Sequence, residues 1–210
     1  MSDRIAPRRR EPRQSRSRQT VARIRQAAVD LLVDEGLDGL NTNAIADRAG
    51  VNISTLYGYF PDKHSIIVDL FESFETERSD AVLSATERLR DAEDWRGWMS
   101  DIIDRMASFR VEWPAGIILR RALVLNPELQ ALDDRSTELA SQALARAFSE
   151  RPQVDSDADL QRIALVTVTT ITHLLDRAFM STPPDLGMLE ELKVLTERYL
   201  TPYLEPRADA

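Results

Sequence analysis

The fold of this chain is decided by a short stretch, residues 41–60, which reads NTNAIADRAGVNISTLYGYF. Thr42 can cap a helix over 43–49, and Gly50 can end it because glycine tolerates the left-handed backbone at a helix terminus. Asn52 can cap a second short helix over 53–59. Two short helices joined by a glycine turn have the layout of a helix-turn-helix.

Apolar residues at helical spacing predict further helices on both sides of this stretch. One runs from Thr20 to a stop at Gly36, and Asp62 caps a long helix that follows the helix-turn-helix. Ser156 and Asp159 resemble a capping box, and Pro202 is expected just beyond the last helix. The remaining helices are expected at about 94–109, 114–125, 127–150, 157–180 and 185–201. We therefore predict an all-α protein.

Charge is distributed unevenly along the chain. Residues 1–63 hold 11 Lys and Arg against 8 Asp and Glu, a net of +3, whereas the remaining residues carry a net of -11. The first 25 residues alone hold nine Arg against two acidic residues. A basic end on an acidic body can meet a polyanion with one face, although a solvated basic tail has the same composition.

The helix-turn-helix layout admits a nucleic-acid function and a purely structural one. The second helix can present compact polar and aromatic groups, namely Ser54, Thr55, Tyr57 and Tyr59, to the major groove of DNA. Short helices with a glycine turn also occur in helical proteins that bind no DNA. The spacing by itself therefore leaves both alternatives open.

A dense set of residues within 25–70 resembles the DNA-binding domain of the TetR family of repressors. The set comprises Gly36, Thr42, Ile45-Ala46, Ala49-Gly50-Val51, Thr55-Leu56-Tyr57, Tyr59-Phe60 and Lys63. The resemblance implies a three-helix DNA-binding domain over 20–65 and a larger helical domain over 66–205 for ligand binding and dimerisation. The second region resembles the family only in length and helical character.

The resemblance also implies roles for individual residues. Thr42 and Lys63 would bind backbone phosphates, and Tyr57 and Tyr59 would contact phosphate or a thymine methyl group. Gly58 departs from the family, which often has a larger side chain there. As alternatives, Tyr57 could belong to the core, Thr42 could only cap a helix and Lys63 could be a solvated charge. The positions that resemble base-facing ones hold Asn43, Ile53, Ser54, Thr55 and Gly58.

The basic N-terminal arm, residues 1–19, is polar and is predicted to be disordered in isolation. It could be an inert leader. Our hypothesis is that Arg16 and Arg18 enter the minor groove beside the helix-turn-helix, as basic arms do in other proteins of this kind.

One helix-turn-helix covers few base pairs, so we expect a two-fold homodimer that reads two half-sites. The family resemblance places the dimer interface on the last two helices. The alternative is that the apolar stripes of these helices face the core of their own domain. The candidate interface residues are Leu160, Ile163, Ile171, Leu174, Leu189, Leu192 and Leu195.

The ligand pocket is only weakly marked in the sequence. All three Trp fall within residues 95–113, and aromatic and Met side chains suit an adaptable pocket as well as an ordinary core. A lone His such as His173 is more often a satisfied interior residue than a ligand contact. Arg120 and Arg121 could offer a cation to an acidic ligand, but we expect both at the surface. The candidate pocket residues are Trp98, Ile102, Met106, Trp113, Thr169 and His173.

The sequence therefore predicts a ligand-responsive transcriptional regulator, most often a repressor in this family. It would bind a palindromic operator in double-stranded DNA and be released by a small-molecule effector. The alternative is a helical adaptor protein without sequence-specific DNA binding, which would have no need for the segment TLYGYF after a glycine turn.

Other classes of protein lack support in the sequence. No phosphate loop, nucleophile elbow or metal-ligand spacing accompanies the two His, so we expect no enzyme, no cofactor and no metal. With no Cys and no apolar run of roughly 18 to 20 residues, we expect a cytoplasmic protein with no membrane partner.

Overall fold

The computed structural model describes residues 12–89, 92–123, 126–151, 154 and 159–205. The described residues form helices and no β-strand, which confirms the all-α prediction. No helix in these ranges is both long and apolar enough to cross a bilayer. The helices are α1 (Pro12–Gly39), α2 (Thr42–Ala49), α3 (Ile53–Tyr57), α4 (Lys63–Glu87), α5 (Trp95–Glu112), α6 (Pro114–Arg121), α7 (Pro127–Ser149), α8 (Leu160–Phe179) and α9 (Leu186–Leu204).

The chain divides into two compact units, the first ending at Leu70 and the second beginning at Phe71. The predicted domain boundary at residues 65–66 and this division both lie within α4. In the first unit, α1 packs against α2 and α2 packs against α3. Its buried side chains include Ile24, Ala28, Leu31, Leu32, Leu40, Ile45, Ala46, Leu56, Phe60 and Ile66.

The first helix begins at Pro12 rather than at Thr20, so the predicted disorder is wrong for residues 12–19. Proline suits the first position of a helix, and the Gln and Arg residues that follow are good helix formers. Residues 1–11 of the predicted arm lie outside the described residues. Regular helix is interrupted at Gly36, whose φ of 70° is the left-handed backbone that favours glycine.

The helix-turn-helix begins one residue earlier than predicted. Asn41, not Thr42, caps α2, because the Asn41 side chain accepts a backbone hydrogen bond 2.9 Å long and Thr42 is the first helical residue. Gly50 ends α2 with a left-handed φ of 61°, as predicted. Asn52 caps α3, also as predicted. Gly50 and Asn52 thus set the turn between the two short helices, and Asn41 fixes the start of the first.

In the second unit, α7 packs along α8, α8 packs along α9, and α5 contacts α6, α8 and α9. The β-branched segment 166–172 is helical within α8, as predicted. Asp159 caps this helix, whereas the predicted cap Ser156 lies outside the described residues. Pro202 lies inside α9 rather than after it. Burial of Leu204, which is 1% exposed, favours continuing the helix beyond that proline.

Candidate DNA-binding surface and ligand cavity

The residues that the sequence predicts for DNA contact are all accessible. Leu56 and Phe60 face the core of the first unit, which leaves their polar neighbours outside. Tyr57 is 50% exposed, so the alternative that places it in the core is wrong. Thr42 and Ile53 are half-buried. The exposed candidates are Asn43, Ser54, Thr55, Tyr57, Gly58, Tyr59 and Lys63.

The side chains of Thr42 and Tyr57 connect the two helices of the motif. Their hydroxyl oxygens lie 3.2 Å apart at the surface. This hydrogen bond holds the Tyr57 ring in place, while a hydroxyl keeps further capacity to donate to or accept from a ligand. The helix α3 ends at Tyr57, so Gly58 and Tyr59 lie in the turn after it and not on the helix as predicted.

Gly58 adopts an ordinary right-handed backbone with a φ of -69°, so its conformation does not require glycine. A Cβ atom there would lie 3.2 Å from the Thr55 carbonyl oxygen, which is a tight but not a blocked approach. Gly58 therefore differs from other residues here only in lacking a side chain at the exposed surface, and not in its backbone conformation.

The cations that the sequence predicts for DNA contact lie at two places in the first unit. Lys63 is the first residue of α4, and its Nζ donates to the Leu37 carbonyl oxygen at 3.4 Å while the side chain stays exposed. Arg16 and Arg18 are exposed on the first turns of α1. These positively charged groups suit contact with phosphate.

The start of α4 is fixed by Asp62. Its Oδ1 accepts a hydrogen bond from the Ser65 backbone N–H at 2.7 Å, and this bond lowers the pKa of Asp62 below its ordinary value. A carboxylate with a lowered pKa stabilises the folded state above its unfolded pKa, and that contribution is lost as pH falls through the lowered value. The cap that positions Lys63 is therefore ionised at neutral pH.

The second unit holds two adjoining cavities. The outer cavity has a volume of about 320 Å³ and lies along α4 and α5, with Arg78, Arg105 and Arg110 in its wall. The inner cavity, of about 30 Å³, is lined mainly by apolar side chains of α4, α5, α7 and α8. The predicted pocket residues Ile102 and Met106 line both cavities, and Trp98 lines the inner one.

The other predicted pocket residues do not join this cavity pair. Thr169 and His173 line an open groove between α7 and α8. His173 is exposed, with its Nδ1 2.9 Å from the Thr169 carbonyl oxygen, so the expectation of an interior His is wrong. Trp113 lines none of these three spaces, and its ring centroid lies 6.1 Å from that of Phe74. Described residues form no cluster suited to a metal ion.

Arg120 is 4% exposed, which contradicts its expected place at the surface, whereas Arg121 is exposed as expected. Arg120 belongs to a cluster of three buried arginines and three buried acids that the sequence analysis missed. We call it the ionic cluster, and it consists of Glu75, Arg78, Arg110, Arg120, Asp133 and Asp176.

The ionic cluster links side chains from α4, α5, α6, α7 and α8. Arg120 pairs with Asp176, with Glu75 at 3.0 Å and with Asp133 at 2.8 Å. Arg110 pairs with Asp176 at 2.6 Å, and Arg78 donates to Glu75. The three positive and three negative charges compensate each other within the buried space, as buried charges require.

The two central arginines differ in their electrostatics. Burial lowers the pKa of Arg110, and attraction from Asp176 does not fully offset that effect. Burial also acts to lower the pKa of Arg120, but attraction from Asp176, Asp133 and Glu75 outweighs it, so the pKa lies above its ordinary value. Arg110 is therefore the less completely compensated cation.

The predicted dimer contacts divide by burial. Ile163, Ile171, Leu189 and Leu192 are buried in the core of their own unit, so their assignment to an interface is wrong. Leu160 and Leu174 are partly buried against the same core. Leu195 is 49% exposed. The apolar residues of α8 and α9 cover more than one face of each helix, and the central ones are buried in the core. Other exposed apolar residues on α8 and α9 are Leu165, Val166, Leu186 and Val194.

The first unit presents an exposed polar face on a helix-turn-helix, and the same chain carries an all-α unit with a cavity. Together these features define the class of helix-turn-helix regulatory proteins. Residues 24–70 match the family described as bacterial regulatory proteins, tetR family, and residues 94–200 match the tetracyclin repressor-like C-terminal domain. The chain belongs to the TetR family. As predicted, this is a family of regulators and not of enzymes.

Individual relatives agree with this assignment. A crystal structure of a TetR-family transcriptional regulator from Streptomyces coelicolor is 31% identical, with a TM-score of 0.60 over 88% of this chain and 99% of that one. A TetR transcription regulator from Haloarcula marismortui shares the fold, with 18% identity and a TM-score of 0.71 over 90% of this chain and 100% of that one.

The curated relatives match over shorter stretches. The class A tetracycline repressor protein from transposon 1721 of Escherichia coli is 35% identical over 85 residues, or 40% of this chain. The match spans 36% of the length of that repressor. The likeness to this repressor is therefore partial and does not by itself carry its activity over to this chain.

Proposed function

We propose that this chain is a transcriptional regulator that binds a palindromic operator as a homodimer and is released by a small-molecule effector. Repression is the expected mode, and a cytoplasmic location follows from the DNA partner. The observation that carries the proposal is the exposed face of α2 and α3, where Thr42 and Tyr57 are linked while their neighbours Asn43, Ser54 and Thr55 stay open to a ligand.

The direct test is selection of bound sequences from a random duplex library by the purified chain, followed by mobility shift at two salt concentrations. A regulator is expected to enrich one inverted repeat and to bind it more weakly at higher salt. Enrichment of no sequence would favour the adaptor alternative.

Arg16 and Arg18 are proposed to contact phosphates in or beside the minor groove. The double variant Arg16→Gln/Arg18→Gln is expected to weaken operator binding and to flatten the plot of log affinity against log salt. The slope should fall by about 0.9 for each phosphate that the variant no longer neutralises. The measurement is fluorescence anisotropy with the selected duplex over a salt series.

The matched control for that double variant is Arg135→Gln, because Arg135 is also exposed but lies on α7 in the second unit. It should leave the slope unchanged. A wild-type slope in the double variant would make the basic segment an inert leader.

The homodimer is proposed to form through α8 and α9, but through their outer faces rather than the buried stripe predicted from sequence. Val166 is 42% exposed on α8, and Val194 and Leu195 are 40% and 49% exposed on α9. Exposed apolar side chains on neighbouring helices are typical of an interaction surface. A second copy of the chain can cover them in a four-helix arrangement.

Leu195→Glu is expected to convert the dimer into a monomer, because it places a charge among apolar groups that the partner would desolvate. Light scattering during size-exclusion chromatography measures the mass directly. Val111→Glu is the control, since Val111 is 67% exposed on α5. A dimeric Leu195→Glu variant with wild-type stability would move the interface elsewhere.

The effector is proposed to occupy the cavity pair of the second unit. The helix α4 carries Lys63 at its first residue and the cavity-lining Arg78 and Val82 further along. A ligand that favours one position of α4 would therefore shift the population of DNA-binding forms. Coupling is reciprocal, so operator DNA must weaken the effector by the same factor. An effector that binds free and DNA-bound protein equally would contradict this mechanism.

A further inference from the structure

The cavity pair in the second unit has a gradient of polarity. The outer and inner cavities share Arg78, Val82, Ile102 and Met106 in their walls. Beyond this shared part, the inner cavity is lined by Met99, Leu144, Val168 and Ile171 among others. The outer end instead adds Arg105 and Arg110 of α5 to the shared Arg78 of α4. One end therefore suits apolar groups and the other suits charge.

The charge at the outer end is positive. Arg78, Arg105 and Arg110 line it against a single acid, Glu112. Arg78 and Arg110 are only 3% and 2% exposed, and their guanidinium groups are held in place by the carboxylates of the ionic cluster. A guanidinium group stays protonated in proteins, so these charges are permanent. Arg105 is exposed, and no ion-pair partner for it occurs among the described residues.

The charges of the ionic cluster balance in number, but Arg110 does not have a carboxylate of its own. Asp176 is shared, because its Oδ1 pairs with Arg110 and its Oδ2 pairs with Arg120. Arg110 also lies close enough to Arg78 and Arg120 for both to lower its pKa further by repulsion. An added anion at the outer cavity would relieve this repulsion and would gain charge-assisted hydrogen bonds.

We propose that the effector is a small amphiphilic anion, with a carboxylate held by Arg78, Arg105 and Arg110 and an apolar body directed into the inner cavity. The proposal rests on the proposed function, since it names the ligand class of that effector cavity. The outer volume of about 320 Å³ is at the lower end for ligand sites. The inner cavity must widen from about 30 Å³, which the flexible side chains of Met99 and Met106 allow.

A cationic ligand and a neutral ligand are both expected to bind less well at the arginine-lined outer cavity. A cationic ligand would meet three guanidinium groups against one carboxylate. A neutral ligand of equal length could fill the apolar end but would leave the arginines without an added partner. The carboxylate is thus expected to bind more tightly than an amide of the same chain length, by roughly tenfold or more.

The test uses the full-length protein without DNA, and the probes are straight-chain carboxylates of graded length with the primary amides and amines of the same lengths. Tryptophan fluorescence reports binding, because Trp98 lines the inner cavity. The expected result is one preferred chain length at which the carboxylate binds best and the amine worst. Arg105→Glu should weaken that carboxylate by roughly tenfold and leave the amide unchanged.

Arg135→Glu is the control, since it makes the same charge reversal at an exposed site on α7. The proposal is overturned if amides bind as tightly as carboxylates at every length, if no carboxylate binds, or if both charge reversals act alike. Operator binding is measured separately. Selective operator binding without carboxylate binding overturns the ligand class alone, and carboxylate binding without any DNA binding overturns the proposed function alone.

Discussion

Replacing Arg120 with alanine is expected to destabilise the second unit by about 3–5 kcal/mol, a large share of the roughly 5–15 kcal/mol that holds a typical domain together. The reason is the ionic cluster. Arg120 pairs with Glu75, Asp133 and Asp176, which come from three different helices. Its removal leaves three buried carboxylates to be compensated by Arg78 and Arg110 alone.

Urea unfolding followed by circular dichroism measures this loss of stability. The matched control is Arg121→Ala, because Arg121 is the next residue in the chain but is exposed, and its Nη2 donates to the Met180 carbonyl oxygen at 2.9 Å. Its removal should cost no more than about 1 kcal/mol. The contrast between two adjacent arginines separates the ionic cluster from any general effect of removing a positive charge.

Arg120→Lys should rescue only part of the stability. A single ammonium group is a point charge and cannot reproduce the fork by which Nε and Nη1 of Arg120 reach different carboxylates. A free energy of unfolding within about 1 kcal/mol of wild type in Arg120→Ala would show that the carboxylates are compensated without it.

The helix-turn-helix could be predicted from the sequence because its determinants are local. Gly50 supplies the left-handed turn and Asn52 caps the next helix, and both signals lie within a few residues of what they determine. The one-residue error at Thr42 arose because Asn41 lies beside it and is the better N-cap residue by intrinsic preference. The signal for the correct cap was therefore present in the sequence.

The ionic cluster could not be predicted because its pairs are distant in the sequence. Arg110 and Asp176 are separated by 66 residues, and charged residues are expected at the surface by default. One signal was present. Arg78 follows the buried Phe74 by four residues, so it lies on the apolar face of α4, where an unpaired charge would be costly. A charged residue at the helical spacing of the buried residues therefore predicts a buried partner of opposite charge, but it does not identify which residue that partner is.

The residues of the proposed interface on α8 and α9 could not be assigned from the sequence for a related reason. Both helices present apolar residues around much of their circumference, and periodicity alone does not tell the core face from an outer face. Ile171 and Leu192 face the core, whereas Leu195 lies outside. A helix that is apolar on two faces therefore needs the tertiary packing before its partner surface can be assigned.

Replacing Tyr57 with alanine is expected to abolish specific operator binding while leaving the fold intact. Tyr57 is 50% exposed at the end of α3, and its hydroxyl lies 3.2 Å from that of Thr42, so the ring is held at the surface without being part of the core. A hydrogen bond from a hydroxyl to a charged phosphate contributes about 1.5–3 kcal/mol. A dimer loses it twice, which corresponds to an affinity loss of about 100-fold or more.

Two variants locate the cause of that loss. Tyr57→Phe keeps the ring and removes only the hydroxyl, so it should lose affinity if the contact is to phosphate and retain it if the ring packs on a thymine methyl group. Val33→Ala is the control for the fold, because Val33 is 47% exposed on α1. Anisotropy titration with the selected duplex gives the affinities, and circular dichroism checks the helices. Wild-type affinity in Tyr57→Ala would remove Tyr57 from the DNA contact and leave that role on α3 to the exposed Ser54 and Thr55.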